Sequence, residues 1–468
     1  EIEADEQREK MMSDQENGET NENEAIHEDN NSDKDAIHPI DEFIAQETTE
    51  GSSLQILLSN LKAFSQPEAY GDIIDDTETE TARCARYGFE YNPAITKRRR
   101  VFMGSLIADD SWHVIAAHAA EAYGLYHTVA FIESNTTQTQ TVRETRFDEG
   151  SLNYRVLQSG IFGPKTDVYV DFRVDVGKDI PEMDAFYREN LQRSHITQRW
   201  KDAGMQPDDI GMICDVDEVF TRDFLLALQS CDVPQFRPGQ DCSTNVITGQ
   251  GFKFEVVPDS FRGGLYHHPQ ALIGECIDKV GDANVHKPAG RKYLNNPGLI
   301  GKRIYQSRAE GSDMYPLWEP WDFRRGSDWN RILEDGRLHT AFHFHNFFHT
   351  FDVLKNKYKT YAHADTSQTE IPLAATGVSP TLQTIKDQHE NPTMLDTIDG
   401  RKPIMLVDQS YRTARLKELM VEIEADEQRE KMMSDQENGE TNENEAIHED
   451  NNSDKDAIHP IDEFIATH

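Results

Sequence analysis

The chain has 468 residues and a formal net charge of −38, with 47 Lys and Arg against 85 Asp and Glu. Its length predicts two to three domains. No apolar run approaches the ~18–20 residues of a membrane span, five cysteines are too few for a disulfide scaffold, and nucleic acid is not expected as a partner of so acidic a chain.

Much of the acidity sits at the ends. Residues 1–45, EIEADEQREKMMSDQENGETNENEAIHEDNNSDKDAIHPIDEFIA, recur without change at 422–466. Each copy holds 16 Asp and Glu and 3 Lys and Arg, so the two copies carry −26 of the total. A solenoid would repeat every ~20–50 residues and continue. One identical copy at each end instead fits a recent duplication, a piece of a longer linker–domain–linker array, or a gene-model artefact. The repeat has too few apolar residues to offset chain entropy, and most of it is expected to be disordered. Asn-x-Ser/Thr acceptor sequences start at Asn30, Asn135 and Asn451, and they matter only in the secretory pathway. No signal peptide is visible at the start, and the missing initiator Met fits a fragment or a processed chain.

In chain order, residues 1–97 read as an acidic, largely disordered lead-in with one short amphipathic piece, SLQILLSNLKAF. The basic run Lys97–Arg100 reads as a solvated strand start, or as a targeting or anion-binding patch. VFMGSLI then predicts a buried strand, Ser111 a helix cap, SWHVIAAHAAEAYGLY a helix and HTVAFIES a second strand. This β–α–β start predicts an α/β domain with a parallel sheet over residues 98–365. DVYVDFRV adds a strand, MDAFYRENLQRSHITQRWKDA a helix, and GMICDVDEVF a strand ending in acids. VITGQGFKFEVV reads as a hairpin arm, His286–Gly336 as loop-rich, LHTAFHFHNFF as a strand and FDVLKNKYKTYAHA as a helix. Residues 366–408 resemble a linker and 409–432 an amphipathic helix, with Leu416, Leu419, Met420 and Ile423 at the helical period. Residues 433–468 read as an acidic disordered tail. Cys231 and Cys242 are spaced for a local bridge in an oxidising compartment, and an odd cysteine count leaves one thiol over.

The acids at the end of GMICDVDEVF carry the functional reading. On an extended strand Asp215 and Asp217 share a face. Two like charges this close repel unless a cation lies between them. Hard oxygen ligands suit Mg²⁺ or Mn²⁺, which bind substrate phosphates alongside one or two carboxylates. Strand ends of α/β sheets are also where such ligands bind. The bland alternative is that both acids cap the next helix, but Thr221 already stands at that position. The same letters fit a haloacid-dehalogenase-type phosphatase, with Asp215 as nucleophile and Asp217 as general acid/base. That family needs a later acidic pair, and no Asp-Asp pair occurs between Glu218 and Val421. A non-catalytic glycan-binding or scaffold module with acidic arms is the third reading.

Three blocks, in order, carry a family resemblance: FIESNTTQTQTVRETRF; YRENLQRSHI with GMICDVDEVFTRD; and AFHFHNFFHTFDVLKNKYKTYAHAD. Together they resemble glycosyltransferase family 17, the β-1,4-mannosyl-glycoprotein 4-β-N-acetylglucosaminyltransferase family. Phe342-His343 stands where that family has Trp-His, and Phe344 where it has a cysteine. The resemblance implies a GT-A-like, Rossmann-type α/β sheet with flanking helices. It implies an inverting transfer of a sugar, GlcNAc as first candidate, from a UDP-sugar donor to a glycan or glycoprotein acceptor. It also implies a Golgi or secretory-lumen setting, where family members are often membrane-anchored. On this reading Asp215 and Asp217 hold Mn²⁺ or Mg²⁺ with His343 as third ligand. Asp215 also meets the donor, with Glu133, Arg143, Arg146, Arg188 and Arg193 as further donor contacts. For Arg188 and Arg193, on the helix before the acid strand, bracing of Asp217 and Glu218 by ion pairs is the favoured alternative. The catalytic base is sought among Glu319, Asp322 and Asp328, beside Trp318 and Trp321 in an aromatic loop.

Overall fold

A computed structural model describes residues 39–50, 77–173, 185–237, 247–249, 251–255, 261–266, 268–280, 340–348, 351–361 and 409–440, with isolated residues in 55–62 and 382–390. The helices are α1 (Pro39–Glu47), α2 (Thr77–Arg86), α3 (Trp112–Ala122), α4 (Leu152–Gln158), α5 (Ala185–Asp202), α6 (Arg222–Ser230), α7 (Gly274–Val280), α8 (Phe351–Thr360) and α9 (Gln409–Glu440). The strands are β1 (Glu90–Tyr91), β2 (Val101–Leu106), β3 (Tyr126–Ser134), β4 (Asp167–Arg173), β5 (Ile210–Ile213), β6 (Glu218–Phe220), β7 (Cys231–Asp232), β8 (Ile247–Thr248), β9 (Gly251–Glu255), β10 (Phe261–Tyr266), β11 (Gln270–Ile273) and β12 (Ala341–His345).

Among the described residues the main sheet has six strands in the order β4-β3-β2-β5-β11-β8. The first four are mutually parallel, and β11 runs antiparallel to both its neighbours. Val101–Ser105 of β2 and all of IGMI are buried, with α5 packed on β2 and β3 and α7 on β5 and β11. The fold is thus the α/β sheet with flanking helices that the β–α–β start predicts, mixed rather than all-parallel because β11 is antiparallel. Ser111 caps α3 as expected, accepting from the Val114 amide at 3.3 Å. Thr221 occupies the N-cap of α6, but its hydroxyl makes no cap bond. The Arg222 amide donates to Glu121 Oε2 at 3.3 Å instead.

Close approach between α5 and the sheet depends on two glycines. A Cβ on Gly104 would lie 2.0 Å from Ile196 Cγ2, and one on Gly211 would lie 2.6 Å from Trp200 Cζ3. Trp200, fully buried, donates from Nε1 to the Met103 carbonyl at 3.1 Å. The basic run before β2 is structural. Arg98 pairs with Glu80 at 3.2 Å, Arg99 donates to the carbonyls of Leu228 and Cys231, and Arg100 pairs with Asp209 at 2.5 Å.

A second sheet has the order β10-β9-β12-β6. The strand in LHTAFHFHNFF forms as β12, and the GFKFE arm pairs with β10 as a hairpin. Cys231 bonds Cys84, 147 residues away, and not the nearby Cys242, which lies outside the described residues. The bridge ties α2 to β7. Cys214 is a buried thiol.

Parts of the terminal repeat are ordered. Copy one ends in α1, where Ile40 and Phe43 are buried, and copy two begins inside α9, where Ile423 and Asp426 are buried. Helix α9 runs eight residues past the expected end at 432. Among its periodic residues Leu419 and Ile423 are buried and Met420 half-buried. Among the described residues no helix is long and apolar enough to cross a membrane.

Candidate active site

The Asp-x-Asp segment is a turn, not the end of an extended strand. β5 stops at Ile213, and the Glu218 amide donates to the Asp215 carbonyl at 2.9 Å. Glu218 Oε2 returns the contact, accepting from the Asp215 amide at 2.9 Å. The expectation that both aspartates share a strand face therefore does not hold, because strand alternation ends where the chain reverses. All three carbonyls of the turn are engaged. Asp215 O accepts from Glu218 N, Val216 O from His118 Nδ1 at 2.9 Å, and Asp217 O from Phe344 N at 2.7 Å.

This geometry sends the two carboxylates to different partners. Asp215 Oδ1 lies 2.6 Å from the Arg193 guanidinium, which also holds Glu189 at 2.8 Å. Asp217 Oδ2 lies 3.4 Å from His343 Nε2. The second sheet accounts for that approach: β12 pairs antiparallel with β6 and places His343 directly opposite Glu218. Asp217, Glu218 and His343 each present a ligand atom, and these lie within 4.8 Å of one another. Burial alone would raise the Asp217 carboxyl, but the charges of His343, Lys357 and His345, with the His343 contact, hold it well below the usual carboxylate range. Two carboxylates and an imidazole are a donor set suited to a divalent cation.

The cluster opens on a cleft of about 620 Å³, within the size range of ligand sites. Asp215, Arg143, Arg193, Lys253 and Lys357 share its wall. Arg143 is fixed by donating from Nε to the Ser134 carbonyl at 2.7 Å. Lys357 donates to Asn346 Oδ1 at 3.3 Å. Asp109 and Asp110, in the loop between β2 and α3, line the same cleft, and burial pushes the Asp110 carboxyl up to about 6.

Other nominated residues are built into the scaffold. Both Glu133 oxygens accept backbone amides, Oε1 from Arg146 at 2.7 Å and Oε2 from Phe147 at 3.0 Å. Burial still raises that carboxyl to about 7. Arg146 is buried over the Trp112 and Phe147 rings and donates to the Asp110 carbonyl at 2.6 Å. Arg188 donates from Nε to the Gln138 carbonyl at 2.5 Å, holding a cleft-lining loop. Arg193 braces Asp215 and Glu189 where Asp217 and Glu218 were expected. Glu319, Asp322 and Asp328 lie outside the described residues. Sequence reasoning passed over Glu218 as a ligand, Lys357 and Asp110. Asp110 follows the buried strand β2 much as the Asp-x-Asp segment follows β5, so the same signal was present.

No curated protein sequence matches the chain. Mouse xyloside xylosyltransferase 1 in its apo form aligns with 49% of this chain and 82% of its own, at 11% identity and a TM-score of 0.22. Residues 66–238 match the family model for Glycosyltransferase family 17. The matched stretch contains β2 to β5, Arg193 and the whole acidic turn, while His343 reaches the site from beyond it. Residues 66–238 are thus similar to glycosyltransferase family 17, and this match supports glycosyl transfer as the activity.

Proposed function

We propose that this glycosyltransferase is metal-dependent and inverting, and that it moves a sugar, GlcNAc as first candidate, from a UDP-sugar to a glycan or glycoprotein. The observation that carries the reading is the Asp217–Glu218–His343 cluster at the edge of a cleft whose wall also bears Arg143 and Lys357. The three clustered residues would hold Mn²⁺ or Mg²⁺. A bound cation supplies charge neutralisation on the leaving diphosphate. Arg143 and Lys357 add positive charge to the same wall, where a dry site strengthens each contact with phosphate. Arg193 holds Asp215 in place through their ion pair, which steadies the turn that carries Asp217. The base that takes the acceptor proton is sought among Glu319, Asp322 and Asp328.

The proposed compartment is the secretory lumen. Its support is the buried Cys84–Cys231 bridge, since such bonds persist in oxidising compartments.

Calorimetry of UDP binding with and without Mn²⁺ tests the reading. Binding should require the cation and be lost in Asp217→Ala. UDP affinity that ignores the metal, or survives Asp217→Ala unchanged, overturns it.

A further inference from the structure

Helix α8 forms part of the cleft wall and is held from two sides. Val353, Leu354, Lys357 and Thr360, at the helical spacing, line the cleft. Lys355 stands two positions from Lys357, about 200° around the helix, and does not line the cleft. Its ammonium pairs with Asp426 of α9 at 2.9 Å. Asp426 is buried, and Arg429 also pairs with it, at 2.5 Å. Leu419, Ile423 and Asp426 form one buried stripe of α9, the helix packed on α8. On the inner side stands Asn346, which follows β12 and lies three residues after His343. It donates to the Tyr358 hydroxyl at 3.0 Å and accepts from Lys357 at 3.3 Å. Helix α8 is thus tied in front to the strand that carries His343, and behind to α9.

The rear contact is demanding because Asp426 is buried. A buried carboxylate that loses a cation leaves its charge behind, and that is costly. Of its two cations, Arg429 is 57% exposed and Lys355 only 21%, so the contact with α8 is the better shielded one. The pair resists sliding and rotation of α8, and Lys357, on the opposite side of the helix, is held with it. From this arrangement, and resting on the sugar-nucleotide reading of the cleft, we propose that Asp426 is a positioning residue. Acting through Lys355, it holds Lys357 where the donor's diphosphate is bound. Ile423 and Asp426 are the second and fifth residues of the second repeat copy. The start of that copy is therefore a buttress of the site and not plain spacer. It also lies outside the stretch 66–238 that matches the family.

The test is a double-mutant cycle in the full-length protein, read by calorimetry of UDP and of uridine in the presence of Mn²⁺. Asp426→Ala should weaken UDP binding about fivefold or more and leave uridine binding unchanged. In a Lys357→Met background the same substitution should cost nothing further. Lys355→Met removes the α8 partner without touching α9 and should reproduce the loss, so it decides if Asp426→Ala fails to fold. Asp426→Glu, which keeps the charge, should recover part of the affinity. Hydrogen exchange of the peptide covering α8 is followed alongside, with no ligand present. It should quicken in Asp426→Ala and in Lys355→Met while exchange in β2 and β3 stays as in wild type. Unchanged exchange in α8, additive losses of UDP affinity in the cycle, or equal losses for UDP and uridine overturns the proposal. Quickened exchange in α8, with a wild type that binds no UDP in the presence of Mn²⁺, upholds Asp426 as the support of α8 and overturns the sugar-nucleotide reading instead.

Discussion

His118 Nδ1 lies 2.9 Å from the carbonyl oxygen of Val216, the residue between the two aspartates. A carbonyl only accepts, so Nδ1 carries the proton. Nε2, 2.8 Å from the Tyr126 hydroxyl, is then the acceptor. A fully buried helix residue thus fixes the backbone of the acidic turn, and the chain Tyr126–His118–Val216 holds its tautomer. His118→Leu leaves the Val216 carbonyl and the Tyr126 hydroxyl without that partner, at a cost of about 1–3 kcal/mol each. Thermal unfolding should show the loss of stability, and Mn²⁺-dependent UDP affinity should fall with it.

The same residue predicts an acid-side loss of stability. Burial depresses the His118 imidazole from 6.5 to about 4, against the opposing pull of the Val216 carbonyl, Asp217 and Glu218. Between those values the unfolded chain binds a proton that the folded one refuses. The contribution is therefore complete above pH 6.5 and lost as pH falls toward 4, and it is on the order of 3 kcal/mol. Denaturant melts from pH 7.5 to 4 should show stability falling through this window. In His118→Gln, which cannot titrate, that part of the slope should flatten. An unchanged slope would mean another group sets it.

Asp215 and Asp217 should separate on mutation. Asp217→Asn removes a carboxylate from the three-residue cluster, and cation-dependent UDP binding should fall by at least about 100-fold, the loss of a buried charged contact. Asp215→Asn keeps the turn and weakens the contact with Arg193. It should cost stability, about 1–3 kcal/mol, more than cation affinity. Titrating Mn²⁺ into each variant by calorimetry, with melting temperatures alongside, checks the split. Equal loss of cation affinity in both variants would restore the paired-aspartate reading.

How far the sequence reaches depends on the distance over which each feature is written. VFMGSLI, the Ser111 cap and HTVAFIES are local signals, and they form as β2, the α3 cap and β3. The acids at the strand end were visible because carboxylates there have no packing role. Their division between Arg193 and His343 was not, because it needs the turn at Val216–Asp217 and the register of a second sheet. That register sets Glu218 opposite His343, far along the chain. Cys84–Cys231 spans 147 residues, so the nearby Cys242 was the visible partner and the wrong one. The acidic repeat read as disordered because composition averages over 45 residues, whereas α1 occupies only its last seven, with Ile40 and Phe43 buried.

Reduction should loosen the α2 end of the molecule. A bridge across 147 residues restricts the unfolded chain by up to about 5 kcal/mol in the loop-entropy account. Cys84→Ser with Cys231→Ser should lower the urea midpoint while leaving UDP binding near wild type, since neither residue lines the cleft. A midpoint that does not move would show that α2 is held by its other contacts, such as Arg83 and Tyr87 with Asp223.

Lys357 offers the sharpest probe of the cleft wall. Its ammonium donates to Asn346 and stands near enough to Asp217 to lower that carboxyl. Lys357→Met keeps the aliphatic stem and removes the charge, so the helix should stay seated on Leu354 and Val353, both buried. A diphosphate that meets the charge loses a charge-assisted contact, worth about 1.5–3 kcal/mol, or ~10- to 150-fold in affinity. Lys357→Arg, which keeps the charge, should recover part of it. UDP and uridine compared in the same titration localise the effect: the loss should appear with UDP and be absent with uridine. Equal losses for both would place Lys357 against the nucleoside and move the diphosphate to another part of the cleft.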